Sequence, residues 1–249
     1  TTMAMKISFL GIIMAAMLAG ATTNAALNCL SWRLAVETNN LIKWKMVPRV
    51  CGFYIAKYME SDQYTDDKQA VTNAAWSYAQ TIPMISQVSE NWEEQRQAAG
   101  KNVWLFSLDQ TALSNLPYYR KHLYGSQFFN ETSYNEWVAK GSAPAIPETL
   151  ELYNNLVSIG VKVVFLSSRS ADYMDVTIKN LKNEGFSGWL DIILKGEEYD
   201  GKSSSYFKNA ERAKLVEEGY KIVGSMADHW TSGDNIGDRF FKFPNPMYS

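Results

Sequence analysis

The amino-acid sequence predicts an α/β protein built around a doubly wound parallel sheet. Beyond Gly100, short apolar segments rich in β-branched and aromatic residues alternate with longer segments of helical character. The short segments have the length of strands, and strands that alternate with helices along a chain form parallel sheets. We predict strands at residues 103–106, 162–166, 191–194, 221–224 and 240–243.

Helices are predicted between these strands and throughout the region before them. In the N-terminal region, helices are expected at Asp66–Gln80 and at Glu90–Ala99. Pro147 is expected to open a later helix and Gly160 to follow its end, because proline suits the first helical position and glycine the position after the last one. The helices expected after Gly100 are 134–137, 147–158, 171–184 and 207–218.

The composition indicates a globular domain without a nucleic-acid-binding face. The 249 residues are 46% hydrophobic and 13% aromatic, which argues against disorder and allows a full core with a small cap. The 24 basic and 26 acidic residues nearly balance and no basic run occurs, so nucleic-acid binding is not expected. We expect three parts: a signal peptide at 1–26, a helical N-terminal cap region at 27–100 and an α/β core at 101–249.

The first residues have the pattern of a secretory signal peptide. Lys6 precedes an apolar run at 7–19, and small residues follow up to Ala26. This order predicts cleavage near Ala25 or Ala26, whereas a membrane span needs about 20 apolar residues. We treat Thr1 and Thr2 as upstream residues. The chain is therefore expected to enter the secretory pathway and to have no membrane contact after cleavage.

An oxidising compartment affects the interpretation of two further features. Cys29 and Cys51 are the only cysteines, so a disulfide between them is expected, with two free buried thiols as the alternative. Asn130-Glu131-Thr132 is an acceptor triplet for N-glycosylation in a polar stretch.

Polar residues at strand ends suggest a site for phosphoryl transfer. Ser107 and Asp109 follow the first strand, and Ser167 follows the second. Because ligands bind at the carboxyl ends of parallel strands, these residues are expected to converge with Lys208 and Asp228. A carboxylate nucleophile, a second carboxylate as acid or base, a hydroxyl and a lysine on phosphate oxygens, and a carboxylate for Mg²⁺ are what this chemistry needs.

Longer stretches carry a family resemblance. Ser107-Leu108-Asp109-Gln110-Thr111 resembles the D-x-D-x-T motif of the haloacid dehalogenase superfamily, with serine in place of the first aspartate. The segments that carry the resemblance are LSNLPYYRKHLYG (113–125), FNETSYNEWVAKGSAPAIPETL (129–150), VKVVFLSSR (161–169), EEGYKIVG (217–224) and FKFPNPMY (241–248). They resemble the plant acid phosphatases and vegetative or pod storage proteins of that superfamily, which implies a haloacid-dehalogenase-like fold.

The resemblance also implies a role for each site residue. The nucleophilic aspartate of active relatives falls on Ser107, the acid/base aspartate on Asp109 and the motif threonine on Thr111. The second-motif hydroxyl falls on Ser167, and the motif lysine on Lys208, with Lys195 as rival. In the fourth motif Asp228 matches the first aspartate and Ser232 replaces the second, so Asp228 is at most a vestigial metal ligand.

Two lost carboxylates favour a storage glycoprotein whose phosphatase chemistry is largely gone. We expect no cofactor, or Mg²⁺ if activity remains, and the resemblance implies a homodimer or a heterodimer with a close paralogue. The destination is the vacuole, with the cell exterior as alternative. A weak acid phosphatase that uses Asp109 and a water, or a module that binds a phosphate ligand, are the competing functions. Structural roles also stay open: Asp109 as a turn cap, Ser167 as a turn former, Lys208 as a solvated helix lysine and His229 as a hydrogen-bonded side chain.

Overall fold

The computed structural model describes residues 28–82, 100–230 and 237–248. The predicted signal peptide, the predicted helix Glu90–Ala99 and Ser232 lie outside the described residues. In the part that is described, no helix is long and apolar enough to cross a membrane.

A five-stranded parallel sheet forms the centre of the molecule and confirms the predicted fold class. Its strands stand in the order β3-β2-β1-β4-β5 and every neighbouring pair is parallel. The strands are β1 Asn102–Phe106, β2 Lys162–Ser170, β3 Asp191–Lys195, β4 Lys221–Ala227 and β5 Phe240–Lys242.

Two strands are at least three residues longer than the sequence predicted. β2 continues past the apolar run to Ser170, with a shift of its register against β3 between Ser167 and Ser170. β4 continues through Gly224 to Ala227. Gly224 lies inside the strand and not at its end. Its lack of a side chain leaves room for a neighbouring ring, since a Cβ atom there would lie 2.3 Å from the Trp104 side chain.

Eight α-helices are described. They are α1 Cys29–Glu37, α2 Gly52–Met59, α3 Asp62–Ala79, α4 Leu116–Lys121, α5 Glu131–Ala139, α6 Pro147–Ser158, α7 Met174–Asn183 and α8 Ser204–Glu217. Helix α6 begins at the predicted residue, α5, α7 and α8 begin three residues from theirs, and the sequence predicted no start for α1, α2 and α4. The predicted start of α3 at Asp66 is wrong, because the Ser61 hydroxyl accepts a bond from the Tyr64 amide and caps the helix four residues earlier. A short 3₁₀ turn at Ala171–Tyr173 precedes α7, where the prediction had continuous helix.

Helices cover both faces of the sheet, as a doubly wound fold requires. On one face, Trp104, Phe106 and Phe165 pack with buried residues of α3, α6 and α7. On the other face, apolar residues of β1, β2 and β4 pack against Phe207 and Leu215 of α8. Burial on both faces explains why the strands are continuous apolar runs rather than alternating ones.

The N-terminal helices form a third cluster that joins the two ends of the described chain. Side chains of α1 and α2 pack with Tyr118, Tyr119 and Met247. The predicted disulfide is present, since the sulfur atoms of Cys29 and Cys51 are 2.01 Å apart. α3, by contrast, contributes buried alanines to the main core.

Glu37, at the end of α1, fixes this cluster to the C-terminal segment. Its carboxylate accepts bonds from the Lys242 ammonium at 2.7 Å and from the Asn245 amide at 3.0 Å. The Trp230 indole N–H donates to the Glu37 carbonyl at 2.9 Å. The N-terminal helices therefore support the segment that follows β5.

Candidate functional site

A cleft of about 1100 Å³ opens at the carboxyl ends of the strands and collects the predicted site residues. Parallel strands end on the same edge of a sheet, so side chains that follow different strands meet there. The cleft is lined by Ser107, Asp109, Ser167, Lys195, Lys208 and Asp228, all of them named from the sequence. Arg169, Tyr134, Trp44 and Tyr248 also line it.

Asp109 lies at the centre of a dense hydrogen-bond network. Both of its carboxylate oxygens accept from the Arg169 guanidinium, with Nη2 2.7 Å from Oδ1 and Nε 3.1 Å from Oδ2. The Tyr134 hydroxyl donates to Oδ1 at 2.6 Å, and the Asn115 side-chain amide donates to the same atom at 3.0 Å. The Ser167 hydroxyl donates to Oδ2 at 3.2 Å. Four side chains therefore donate hydrogen bonds to the carboxylate, and each of its two oxygens accepts more than one.

This network fixes the protonation state of Asp109. Burial opposes ionisation, but the positive charge and hydrogen bonds of Arg169, with the bonds from Tyr134 and Asn115, lower the pKa of Asp109 to about 2. Burial likewise disfavours the Arg169 cation, yet the neighbouring carboxylate holds the pKa of that guanidinium above its ordinary value. Both groups are charged at neutral and at mildly acidic pH.

Ser107 follows β1 and presents a hydroxyl where the strand ends. Its amide donates to the Met226 carbonyl of β4 at 2.9 Å, which fixes the backbone at this point. The side chain is buried at the floor of the cleft. Thr111, two positions beyond Asp109, is fully buried and is not among the residues that line the cleft.

The two candidate lysines reach the cleft from the end of β3 and from α8. Lys208 lies on the second turn of α8 and is buried. Lys195, at the end of β3, donates its ammonium to the Lys202 carbonyl at 2.7 Å. Lys208 therefore contributes a buried positive charge, whereas a backbone contact holds the charge of Lys195.

Asp228 is buried directly after β4 and is held by the C-terminal segment. Its Oδ2 accepts from the Asn245 side-chain amide at 2.9 Å and lies 3.6 Å from Nε2 of His229. Burial lowers the pKa of His229, assisted by Lys208 and Lys242, and outweighs the opposing effect of Asp228. A neutral imidazole whose Nε2 lies 3.0 Å from the Tyr248 carbonyl must carry its proton on Nε2 and donate to that oxygen.

Comparison with known proteins identifies the family. The model of the HAD superfamily, subfamily IIIB (acid phosphatase), matches residues 13–249. The chain belongs to this acid phosphatase family. Its resemblance to that family, carried by the motifs around Ser107 and Ser167, is confirmed.

Relatives in this family have names of two kinds. The chain is 39% identical to acid phosphatase 1 of Solanum lycopersicum over 89% of its length and 83% of that protein. It is 42% identical to the stem 28 kDa glycoprotein of Glycine max, over 88% and 83% of the two chains. It is 37% identical to vegetative storage protein 1 of Arabidopsis thaliana, over 89% and 78%.

A solved structure agrees in fold. The class C acid phosphatase from Bacillus anthracis superimposes with a TM-score of 0.56 at 20% sequence identity, covering 79% of this chain and 84% of that chain. At this identity the likeness shows the fold alone.

The oxygen ligands that the cleft of this acid phosphatase family member offers fit a magnesium ion poorly. In the described residues, no group of three histidine, cysteine, aspartate or glutamate side chains could hold a metal ion. Asp228 offers one carboxylate, Ser107 offers a hydroxyl, and Asp109 already receives donors on both oxygens. Mg²⁺ needs near-octahedral oxygen ligands and is usually held by one or two carboxylates and substrate phosphate.

Sequence reasoning missed three of the residues around Asp109. Arg169 could have been predicted as a site residue, because a charged residue stands two positions after Ser167 at the end of a buried strand. Asn115 and Tyr134 carry no local signal, since they reach Asp109 from a loop and from α5.

Asn130, the predicted glycosylation residue, lies at the rim of the cleft, between two residues that line it. It is exposed, and its side-chain oxygen caps α5 by accepting from the Ser133 amide at 2.9 Å. Phe129 and Glu131, its neighbours, line the cleft.

Proposed function

We propose that the chain is a vegetative or pod storage glycoprotein that keeps an acid phosphatase fold with little or no phosphatase activity. The state of Asp109 carries this proposal. A general acid or base works best when its pKa lies near the working pH. A pKa of about 2 and donors on both oxygens leave Asp109 a weak base and an unsuitable proton donor.

The chemistry at Ser107 supports the same conclusion. A serine hydroxyl is a poor nucleophile unless a base activates it. Asp109 lies two residues away, but Arg169 already holds its charge. Removal of a covalent nucleophile costs on the order of 10⁴-fold or more in rate, and Ser232 is expected to remove a second carboxylate.

Relatives named as stem glycoproteins and vegetative storage proteins support the storage function. Because a relative of similar identity is named an acid phosphatase, names alone do not decide between the two functions. The site chemistry supports the storage function.

We assign the protein to the secretory pathway and propose the vacuole as its destination. The Cys29–Cys51 disulfide fits an oxidising compartment. Asn130 is exposed, so we propose that it carries a glycan. We also propose a homodimer or a heterodimer with a close paralogue, which light scattering on the purified protein would detect.

The test is hydrolysis of p-nitrophenyl phosphate by protein of known metal content, with and without Mg²⁺. We expect the background rate in both conditions, and the same rate in Asp109→Asn. The purified tomato relative serves as a positive control for the assay. Mg²⁺-dependent turnover that disappears in Asp109→Asn would overturn the storage proposal.

A weak acid phosphatase is the second candidate function. It is supported by the convergence of Asp109, Ser167, Lys208 and Asp228 in one cleft. Under this alternative, Mg²⁺ would bind only with the help of the substrate phosphate, and activity would require millimolar-range metal. Titration of the rate against Mg²⁺ in the same assay separates the two functions.

A further inference from the structure

The first two helices expose large apolar side chains that the fold does not bury. Leu30 and Leu34 lie one turn apart on α1 and are 56% and 62% exposed. Val50, in the 3₁₀ turn Arg49–Cys51, is 76% exposed, and Phe53, in the first turn of α2, is 84% exposed. Phe53 has the highest exposure of the large hydrophobic residues in the described part of the chain. Exposed apolar residues of this size at one place mark an interaction surface.

The disulfide brings these side chains into one patch. Leu30 follows Cys29 and Val50 precedes Cys51, and the Cα atoms of the two cysteines are 5.3 Å apart. The opposite faces of both helices are buried in the N-terminal cluster. We call the exposed set the α1–α2 patch; it consists of Leu30, Leu34, Val50 and Phe53.

Basic residues surround the α1–α2 patch. Arg49 and Lys57 lie four residues before and after Phe53, one turn of helix away on each side, and both are exposed. Lys43 and Lys45 are exposed on the loop that joins the two helices. A positive border around an apolar centre is the arrangement that peripheral proteins present to anionic lipid.

Acidic residues do not neutralise this border. Between Asn28 and Glu60 there are five basic and two acidic residues, although acidic residues outnumber basic ones in the whole chain. One of the five, Arg33, pairs with Asp67 of α3 at 3.4 Å, and the other four, Lys43, Lys45, Arg49 and Lys57, are exposed. The two acidic side chains are engaged elsewhere, because Glu37 binds Lys242 and Glu60 binds Arg120. The N-terminal helices are therefore a positive pole on a weakly acidic protein.

We propose that the α1–α2 patch docks on an anionic membrane surface that faces the lumen of the secretory pathway or the cell exterior. The apolar side chains enter the interface between headgroups and acyl chains, and the basic residues contact lipid phosphates. A second copy of the chain is a poorer occupant, since a two-fold contact would place the basic borders against each other. The expectation of no membrane contact after cleavage rested on the lack of a spanning segment, which peripheral docking does not require.

Docking would bring the cleft close to the bilayer. Trp44 and Lys45, on the loop next to the patch, also line the cleft. The Trp44 ring packs edge-on against Trp32 of α1, with the ring centroids 5.2 Å apart, so this wall of the cleft is attached to the helix that carries Leu30 and Leu34. This proposal stands whether or not the cleft has phosphatase activity.

Vesicle co-sedimentation of the secreted, disulfide-bonded protein tests the proposal. We expect binding to vesicles that contain phosphatidylserine, no binding to pure phosphatidylcholine, and weaker binding as salt rises, since salt screens exposed charges. A variant with Arg49→Gln and Lys57→Gln should bind roughly 25-fold more weakly, about five-fold for each basic residue. Phe53→Ser should weaken binding roughly ten-fold or more.

Matched variants outside the patch control for general changes in charge and hydrophobicity. Tyr206→Ser removes an aromatic side chain that is 55% exposed on α8. Lys179→Gln with Lys182→Gln removes two exposed charges from α7. These variants should bind vesicles as the parent protein does, and thermal unfolding checks that every variant is folded.

Several results would overturn membrane docking. These are no binding to phosphatidylserine vesicles at low salt, or binding that Phe53→Ser leaves unchanged. A dimer in light scattering that Phe53→Ser dissociates would assign the patch to a second copy.

Discussion

Arg169 binds both carboxylate oxygens of Asp109, with Nη2 2.7 Å from Oδ1 and Nε 3.1 Å from Oδ2. The Arg169 side chain is 4% exposed and the Asp109 side chain 18%, so water screens the pair only weakly. Thr177 of α7 accepts a bond from Nη1 of the same guanidinium at 3.2 Å. The pair thus joins the loop after β1 to β2 and α7, and it gives Asp109 a structural role.

Arg169→Gln should strongly destabilise the protein. Loss of the guanidinium leaves the Asp109 carboxylate buried without its cation, and removing one partner of a buried pair costs about 3–5 kcal/mol. Urea unfolding at neutral pH measures this change in the free energy of unfolding. Arg120→Gln is the matched control, because the Arg120–Glu60 pair is largely exposed and should contribute less than about 1 kcal/mol. Equal losses in the two variants would contradict a buried structural pair.

Asp109 should contribute to stability at neutral pH but not in strong acid. Its pKa is about 2 in the folded protein and 3.8 for the free side chain, so the unfolded chain binds the proton first as pH falls. The stabilisation, about 2 kcal/mol, is complete above the unfolded pKa and is lost as pH falls through the folded pKa. Urea unfolding from pH 6 to pH 2 should show a steeper loss in the parent protein than in Asp109→Asn. Parallel curves for the two proteins would contradict the lowered pKa.

The sequence predicted the meeting of the site residues because parallel strands impose it. Ser107 and Asp228 each follow a strand, Ser167 lies near the carboxyl end of β2, and the carboxyl ends of parallel strands share one edge. Apolar runs bounded by polar residues also located the strands. Because the strands are buried on both faces, they are continuous apolar segments and do not alternate between apolar and polar residues.

The sequence did not reveal which side chains hold Asp109. Tyr134 and Asn115 reach it from elements whose placement depends on tertiary packing, and no local pattern encodes that contact. The start of α3 was missed for a different reason. Ser61 is a local capping signal, but the first turn of the helix is polar and shows no apolar periodicity. Local periodicity finds an element, and here the capping side chain marks where it begins.

Ser107→Asp alone should restore little Mg²⁺-dependent hydrolysis of p-nitrophenyl phosphate. The new carboxylate would supply a nucleophile, but the fourth motif would still offer the metal only Asp228, since position 232 is serine. The double variant with Ser107→Asp and Ser232→Asp should exceed either single variant, and Asp109→Asn in that background should lower the rate again. High turnover from Ser107→Asp alone would show that the fourth motif matters less than we infer.

Loss of the disulfide should destabilise the N-terminal cluster. The two cysteines are 22 residues apart, and closing a loop of this length stabilises the folded state by roughly 3 kcal/mol. Urea unfolding of the variant with Cys29→Ala and Cys51→Ala measures the loss, and reduced parent protein should unfold at the same midpoint as that variant. An unchanged midpoint would show that the contacts of Glu37 with Lys242 and Asn245 hold α1 without the bridge.

Gly125→Ala should be far more disruptive than Gly160→Ala, although both glycines have a left-handed backbone. Their φ angles are +80° and +83°, so an alanine at either position would hold a left-handed backbone at a similar cost of about 1–2 kcal/mol. A Cβ atom on Gly125 would lie 1.7 Å from the Met247 carbonyl oxygen, whereas nothing lies within 4 Å of one on Gly160. The clash would displace the segment that holds Asp228 through Asn245. We therefore expect unfolding or a much lower midpoint in urea for Gly125→Ala alone, and equal midpoints would show that the C-terminal segment does not pack on this turn.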